Sequence, residues 1–351
     1  MFTHSLSSIF IGVLAAFASA QQPSNPVKIA KTEFLGYRNA SNDQSVRDLG
    51  YMGNIGSTYI LTFGDGVGTT NAKTRTDSGC AFITARDGAG LPGSDPLSYA
   101  DVNLRKDLCG GVPQMARFCP ELSGETDSSG LGITNIVGLN DTYGALWTLP
   151  QQCGSSCVSQ GAGLAVVTMK AGTPVCTRPF GVHTWGPDEP SWGQLGAISA
   201  SDGHIYVYAN GPNSSVVLAR VPLENAFNLG SYQYWHGTAA GFTSTRIKTA
   251  DLKTGSPELL GFTAAQGSIY FSNFYNQYIY FDPYFGIFAQ TADRPEGPWS
   301  SSISVYGPPQ IHNLLYTPVI QPKYASADGS QIVLGWSDDN YQGLVRITFT
   351  K

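Results

Sequence analysis

Residues 197–223 read AISASDGHIYVYANGPNSSVVLARVPL, and this stretch decides the fold. It contains an alternating strand, an Asp-Gly turn, an aromatic-rich second strand, an Asn-Gly turn and a third strand. Strands joined by such tight turns pair antiparallel and form a small sheet. One such unit cannot bury both of its faces alone, so the stretch predicts a sheet that packs against neighbours of the same kind.

Similar units recur along the chain. The clearest are LLGFTAAQGSIYFSNFYNQYIYF (259–281) and VIQPKYASADGSQIVLGWSDDNYQGLVRITF (319–349), and weaker ones occupy residues 49–66 and 136–150. The glycines that mark the units are 88, 59, 64 and 62 residues apart: Gly56, Gly144, Gly203, Gly267 and Gly329. Repeats of about 60 residues with several antiparallel strands are typical of propeller blades. The sequence therefore predicts an all-β, five-bladed β-propeller; a β-sandwich or two smaller all-β domains are the alternative.

The long first interval predicts an insertion. Residues 87–130 are rich in Gly, Pro, Asp, Ser and Cys, which indicates a disulfide-tied loop rather than core sheet. A strand near Val27–Leu35 is predicted to complete the last blade and to remove its exposed edge. Residues 21–351 would then form a single domain.

The composition favours strands and turns over helices. Glycine accounts for 41 of 351 residues, whereas charged residues make up only 13% of the chain. Helix surfaces need Glu, Lys and Arg, and turns need Gly, Asn and Asp, so this balance predicts little helix. A net charge of -5 without a basic cluster argues against nucleic acid as a partner.

The first 20 residues, MFTHSLSSIFIGVLAAFASA, have the pattern of a signal peptide. A polar start is followed by an apolar run from Ile9 to Ala18 and by small residues at Ala18 and Ala20. The apolar run is too short to span a bilayer. We therefore predict a secreted, extracellular protein without a membrane association.

Cysteines and sequons agree with export. Three Asn-x-Ser/Thr triplets, at Asn39, Asn140 and Asn213, predict glycosylation. The even number of cysteines predicts three disulfides, with fifteen pairings open. These cysteines are Cys80, Cys109, Cys119, Cys153, Cys157 and Cys176.

Carboxylates are the natural candidates for chemistry, because the chain has no nucleophile elbow, phosphate loop, zinc-protease helix or dinucleotide fingerprint. Hydrolysis of a glycosidic bond needs two carboxyl groups. Asp65 in TFGDG ends an apolar strand of the first unit. Asp77 in RTDSGCAF lies beside Arg75, which would hold the carboxylate of Asp77 ionised. A turn role is the alternative for both aspartates.

The segment HTWGPDEPSWGQ offers a second set of candidates. Asp188 and Glu189 lie there between Trp185 and Trp192, and indole rings stack on sugars. A solvent-exposed loop explains the two carboxylates equally well. Glu258 is a further candidate acid. Three more positions near unit edges are predicted to contact sugar, with a structural role as the alternative for each histidine: Trp235, His236 and His312.

Three strings carry a resemblance to a known family. They are LARVPLENAFNLGSYQYWHG (218–237), FGIFAQTADRPEGPWSSSISVYG (285–307) and YTPVIQPKYASADGSQIVLGWS (316–337). With them, residues 50–350 resemble the DUF4185 family of extracellular proteins, some of which are five-bladed glycoside hydrolases that act on D-arabinan. The resemblance implies a catalytic aspartate at Asp65 and a second acidic position at Asp77. Gly66 replaces the threonine that usually follows the Gly-Asp pair.

Together these patterns predict a secreted glycoside hydrolase that acts on an extracellular or cell-wall polysaccharide. Asp65 would be the base or nucleophile, Asp77 a second carboxylate, and Asp188, Glu189 or Glu258 the acid. A non-catalytic, lectin-like propeller is the alternative, and a polysaccharide lyase is a third reading. The predicted partner is a polysaccharide or glycan, and the chain is predicted to be a monomer. No metal or cofactor is predicted, since no loop has calcium-ligand spacing; a structural Ca²⁺ ion beside the aspartates of the central funnel is the alternative.

Overall fold

The computed structural model describes residues 23–40, 45–68, 88–102, 104–105, 114–115, 117–125, 129–153, 156–308, 315–338 and 341–351. Within these ranges, the side chains of residues 39–40, 45–48, 65–68, 104–105 and 114–115 are not described. Residues 1–22, with the predicted signal peptide, lie outside the described part.

Strands dominate the described part of the chain, which confirms the predicted all-β class. The strands of its first half are β1 (Lys28–Ala40), β2 (Ser45–Ile55), β3 (Thr58–Gly68), β4 (Gly88–Pro92), β5 (Ser98–Asp101), β6 (Leu104–Arg105), β7 (Gln114–Met115), β8 (Ser129–Ile133), β9 (Val137–Gly138), β10 (Tyr143–Cys153), β11 (Cys157–Ser159), β12 (Gly163–Lys170) and β13 (Thr173–Thr177).

The second half continues with shorter, regularly paired strands. They are β14 (Ala197–Ser199), β15 (His204–Asn210), β16 (Val216–Pro222), β17 (Gln233–Trp235), β18 (Phe242–Thr243), β19 (Ser268–Ser272), β20 (Gln277–Pro283), β21 (Ile287–Ala292), β22 (Ile303–Tyr306), β23 (Tyr316–Ile320), β24 (Gln331–Asp338) and β25 (Tyr341–Thr350).

Among the described residues, helical structure is confined to single turns. They are α1 (Gly237–Ala240) and the 3₁₀ turns Pro212–Ser214, Leu223–Asn225, Leu229–Ser231, Thr249–Asp251 and Pro322–Tyr324. In the described residues no helix has the length and apolar character needed to cross a membrane.

The strands fall into antiparallel groups. In the largest sheet, β2 to β5 form one group, β8 to β13 a second, and β23 to β25 with β1 a third. Parallel contacts of β2 with β9 and of β1 with β5 join these groups into one 14-stranded sheet. Strands β14 to β18 and β19 to β22 form two further antiparallel sheets, and β6 pairs with β7.

The strand predicted near Val27–Leu35 is confirmed, and it is longer than expected. β1 pairs antiparallel with β25 from Lys28 opposite Thr350 to Arg38 opposite Gln342. The start of the described chain therefore covers the edge of its last strand. This pairing removes an edge that would otherwise present free backbone groups.

The three largest core clusters lie between neighbouring groups. Trp147 of β10 shares a buried cluster with Val207 of β15, and Tyr208 of β15 shares another with Tyr280 of β20. Leu334 of β24 packs in the cluster that contains Phe281 of β20. These groups thus bury faces against their neighbours, as the repeat pattern predicts.

The prediction that residues 87–130 form a loop insertion is wrong for their first part. β4 pairs with β3, β5 pairs with β4, and the side chains of Ala89 and Tyr99 are buried. The sequence signal failed because these two strands are only five and four residues long and are separated by a Pro-Gly turn. Residues 88–101 therefore extend the first group outwards.

The later part of that segment is tied to the sheet covalently and electrostatically. Cys119 forms a disulfide with Cys176 of β13. Arg178 donates two hydrogen bonds, of 2.7 and 2.9 Å, to the carboxylate of Glu125, and both side chains are buried. The second described disulfide joins Cys153 and Cys157. Cys80 and Cys109 lie outside the described residues, so the third disulfide stays a prediction.

The marker glycines are turn residues in three units. Gly56, Gly203 and Gly329 have φ of 54°, 81° and 70°, a backbone region that glycine enters without steric cost. The other two markers do not have a positive φ in a hairpin turn. Gly144 is the second residue of β10, and Gly267 immediately precedes β19, the first strand of its sheet.

Candidate functional site

Two cavities lie where the groups of strands meet. Cavity A has a volume of about 460 Å³ and is lined by Leu49, Gly64, Gly130, Leu131, Gly132, Ile133, Leu149, Gln151, Cys157, Ser159, Ser191, Gln194, Gln266 and Tyr316. Cavity B has a volume of about 370 Å³ and is lined mainly by residues 51–54, 135–138, 197–199 and 268–270, with Ile320 and Pro322.

The two cavities are the opposite ends of one arrangement of chain segments. In every group, one chain segment passes from cavity A to cavity B. These segments run from Leu49 to residues 51–54, from residues 130–133 to 135–138, from Gln194 to residues 197–199, from Gln266 to residues 268–270 and from Tyr316 to Ile320. The inner segments therefore run side by side in the same direction, from cavity A to cavity B. Side chains that are far apart in sequence meet at each end.

Cavity A is bordered by unusual backbone conformations. Six described residues other than glycine have positive φ, and four of them lie in hairpin turns: Ala171, Asn213, Ser214 and Asn276. The other two are Leu49 of β2, with φ of 68°, and Thr317 of β23, with φ of 52°. Such conformations cost about 1–3 kcal/mol each and cluster at functional sites. Leu49 lines cavity A, and Thr317 follows Tyr316, which also lines it.

The described lining of cavity A is polar without being charged. The half-buried side chains of Gln151, Gln194 and Gln266 face this cavity from three groups, and no hydrogen bond between described residues engages their amides. Ser159 and Ser191 lie on the same wall, with their Oγ atoms 2.8 Å apart. Amides without a partner among the described residues, together with hydroxyls that keep further hydrogen-bonding capacity, are suited to binding the hydroxyls of a ligand.

Three side chains hold the chain segment that brings Gln266 to cavity A. Asn210 Nδ2 donates to the carbonyl oxygen of Ala264 at 2.8 Å, and Tyr280 Oη donates to that of Ala265 at 2.7 Å. The backbone N–H of Ala265 donates to Asp282 Oδ1 at 2.6 Å. Burial raises the pKa of Asp282 to about 6, in spite of this hydrogen bond.

We expect Asp282→Asn to stabilise the protein above pH 6. The folded pKa of Asp282 lies above its ordinary value of 3.8, so the ionised carboxylate lowers the free energy of unfolding as pH rises through about 6. The full effect at pH 7.5 is at most about 3 kcal/mol and disappears below pH 4. Urea unfolding of both proteins at pH 7.5 and pH 4 measures it. An equal difference in stability at both pH values would contradict this account.

The backbone near cavity A carries two aspartates. Asp65 follows Gly64, a residue of β3 that lines the cavity. Asp48, which the sequence analysis missed, precedes Leu49 in β2. Arg47 pairs with Gly66 and Leu49 with Phe63, so Asp48 and Asp65 occupy neighbouring positions of adjacent strands. The side chains of both aspartates are outside the described part, as are Asp77, Arg75 and His312.

Trp185 and Trp192 belong to the core, which corrects their assignment as sugar-stacking platforms. Their exposed fractions are 1% and 0%. The indole N–H of Trp185 donates to Tyr234 Oη at 2.8 Å, and the ring of Trp192 packs against that of Tyr234 at 5.3 Å. Neither ring has a face free for a ligand. Apolar strand contacts, and not proximity to carboxylates, explain the two residues.

Asp188 and Glu189 are engaged in ion pairs. Glu189 is buried, and its Oε1 lies 2.7 Å from Arg246 Nε while its Oε2 accepts from the N–H of Gly186 at 2.9 Å. Asp188 is exposed and lies 2.8 Å from Lys248 Nζ, whose hydrogen bond lowers the pKa of that carboxyl. Neither side chain lines cavity A. These contacts join the two loops and leave no carboxylate free for catalysis here.

The remaining candidates lie at the outer part of the β14–β18 sheet. His236 follows β17, and its Nδ1 is 3.2 Å from Glu258 Oε1 while its Nε2 is 2.8 Å from the carbonyl oxygen of Thr245. The ring of Trp235 packs against Phe242 at 5.1 Å. Since β14 forms the inner edge of this sheet, the structure does not bring Glu258, Trp235 or His236 to cavity A.

Two of the predicted glycosylation positions are accessible. Asn140 and Asn213 are exposed, the first beside β10 and the second in the turn between β15 and β16. The side chain of Asn39 is outside the described part. No group of three or more His, Cys, Asp or Glu side chains within the described ranges is arranged to hold a metal ion.

Solved structures share this fold. A protein from Bacteroides ovatus named as a candidate hydrolase has a TM-score of 0.63, with 14% identity over 90% of this chain and 87% of its own. An exo-β-1,3-galactanase from Clostridium thermocellum has a TM-score of 0.51, with 10% identity over 91% of this chain and 63% of its own. The chain thus spans less than two thirds of the galactanase.

No family model matches the sequence, and no curated protein matches it. The resemblance to the DUF4185 family therefore stays a prediction. At 14% and 10% identity, the two structural likenesses establish the fold alone.

Proposed function

We propose that the chain is a secreted glycoside hydrolase that cleaves a polysaccharide at cavity A. The observation that carries this proposal is the convergence at cavity A of segments from every strand group, with three free amides and a strained backbone at its rim. Enzyme sites are built in this way, from residues that a rigid scaffold brings together. The structural likeness to an exo-β-1,3-galactanase is compatible with a sugar polymer as the substrate.

The fold that we propose for this enzyme is a five-bladed β-propeller. Its blades would be β2 to β5, β8 to β13, β14 to β18, β19 to β22, and β23 to β25 completed by β1. The same direction of all inner segments, from cavity A to cavity B, supports this arrangement. Secretion is proposed from the sequence pattern of residues 1–20, and the disulfides agree with an oxidising compartment.

For the chemistry we propose Asp48 and Asp65 as the paired carboxylates. Their backbone positions on adjacent strands at cavity A support this choice. Hydrolysis requires one carboxyl group to protonate the leaving oxygen and the other to act as base or nucleophile. Two carboxyl groups in one site do not ionise equally, because the first negative charge disfavours the second. Asp65 keeps the role of base or nucleophile, and Asp77 is a further acidic candidate.

A lectin-like function is the second candidate, and the described lining of cavity A favours it. This lining offers amides and hydroxyls, which bind sugar hydroxyls, but no carboxylate. The two functions therefore differ in whether Asp48 and Asp65 act on the bound sugar.

Incubation with polysaccharides separates the two functions. The panel should include β-1,3-galactan, D-arabinan, xylan, β-glucan and bacterial cell walls, with released sugars measured by their reducing ends. We expect the protein to release sugar from at least one polymer. Binding to a polymer with no release from any of them would favour the lectin, and the absence of both would contradict the proposal.

A further inference from the structure

The most exposed aromatic residues of the described chain stand together at one hairpin tip. Tyr284 and Phe285 join β20 to β21, and their exposed fractions are 69% and 85%. Every other large apolar side chain in the described part is less exposed than these two. Large exposed apolar groups that are adjacent mark a surface that meets a partner.

This pair is held in a defined arrangement. The rings of Tyr284 and Phe285 meet edge to face at 4.4 Å, and Tyr284 also contacts the ring of Phe288 at 5.8 Å. The N–H of Tyr284 donates to the carbonyl oxygen of Gly286 at 2.9 Å, and Pro283 pairs with Ile287 across the hairpin. Because these contacts already order the two rings, a ligand that binds them causes little further loss of side-chain conformational entropy.

The hairpin tip projects from the cavity A end of its sheet. β20 runs antiparallel to β19, so it runs towards the end at which Gln266 lines cavity A. Asp282 of β20 bonds Ala265, the neighbour of Gln266. At a strand rise of about 3.3 Å per residue, Phe285 lies roughly 10 Å beyond Asp282. The pair thus lies at the end of its sheet where Gln266 lines cavity A.

The strand group that carries the tip lacks the basic residues that an anionic membrane requires. The sequence has no Lys or Arg between Lys253 and Arg294, and Arg294 follows the far end of β21. Helices and loops that bind anionic lipid need such basic residues beside their aromatic ones. An uncharged ligand with a flat apolar face fits the pair better, and a sugar ring is such a ligand.

We propose that Tyr284 and Phe285 form a stacking platform for a polysaccharide chain that extends out of cavity A. This inference rests on the proposed function, because it takes its ligand class from the sugar polymer. A cavity of about 460 Å³ encloses only a short part of a polymer. The rest of the chain must cross the surrounding face, where the two rings offer apolar contact area.

The test uses the full chain and the double variant Tyr284→Ala/Phe285→Ala. Leu229→Ala is the matched control, because Leu229 is 44% exposed and follows the end of β16 that lies away from cavity A. Affinity electrophoresis in gels that contain β-1,3-galactan, arabinan, xylan or β-glucan measures polymer binding independently of hydrolysis. Cleavage of aryl monoglycosides measures activity on a substrate confined to cavity A.

Loss of both rings should weaken binding to the polymer about tenfold, while Leu229→Ala binds like the unaltered protein. Turnover of the aryl glycoside should be unchanged in both variants. Equal gel retardation of the double variant and the unaltered protein would overturn the platform. The platform would also be overturned if the double variant lost binding to phosphatidylcholine vesicles while it bound the polymer like the unaltered protein. Ring-dependent retardation without any hydrolysis would support the platform while contradicting the proposed hydrolase.

Discussion

Asp65→Asn is expected to lower kcat on the cleaved polysaccharide at least about a thousandfold. Asparagine keeps the shape of the side chain but can neither accept a proton nor attack the anomeric carbon. Binding of the polymer depends on the amides of cavity A and should change little, so KM should remain within about threefold. Initial rates of reducing-sugar release measure both constants. Asp48→Asn should cause a loss of the same order.

Asp188→Asn is the matched control for this experiment. Asp188 is an aspartate of the predicted site segment, but its exposed carboxylate pairs with Lys248. We expect that variant to retain its activity within about twofold, since an exposed ion pair contributes little to stability. Full activity of Asp65→Asn, or a large loss in Asp188→Asn, would show that the catalytic carboxylate lies elsewhere.

Arg38→Ala is expected to lower the free energy of unfolding by about 3–5 kcal/mol. Arg38 is buried in β1, and its guanidinium donates to the carbonyl oxygen of Pro96 at 2.8 Å, to Gln342 Oε1 at 3.1 Å and to Gln321 Oε1 at 2.8 Å. Gln321 in turn donates to the carbonyl oxygen of Gly50 at 2.9 Å. One side chain thereby joins the last group of strands to the first.

The arginine remains charged at neutral pH, although burial lowers its pKa to about 10. Its removal would leave several buried oxygens without donors, which costs more than the loss of the bonds themselves. Urea unfolding measures the effect. Lys31→Ala in the same strand is the control, because the Lys31 side chain is 69% exposed and should contribute less than about 0.5 kcal/mol. Equal unfolding midpoints for the two variants would mean that β1 closes the sheet without help from Arg38.

Much of the fold follows from local sequence rules. The Asp-Gly turn at Asp202–Gly203 predicts the hairpin of β14 and β15, and the need to cover the edge of the last blade predicts β1 near Val27–Leu35. The short strands β4 and β5 escape the same rules, since four or five residues with a proline and a glycine between them resemble a loop. Their pairing depends on β3, which a local pattern does not contain.

The candidate functional site is harder to predict from local sequence rules. Trp185 and Trp192 resemble a sugar platform because they flank two carboxylates in sequence, but burial depends on the neighbouring sheets and removes both rings from solvent. Asp48 was not predicted because the Gly-Asp pair that singles out Asp65 lies in β3, and β2 carries no such local motif. The pairing of β2 with β3 could have indicated it, because Asp48 of β2 lies opposite the part of β3 that carries Asp65.

The proposed function requires a polysaccharide to bind in cavity A beside Asp48 and Asp65. A crystal structure of Asp65→Asn with an oligosaccharide of the cleaved polymer would locate the bound sugar. We expect sugar hydroxyls in hydrogen bonds with Gln151, Gln194 and Gln266, and the scissile bond between residues 48 and 65. Sugar bound instead beside Trp235 and His236 at the outer part of the β14–β18 sheet, with cavity A empty, would contradict it.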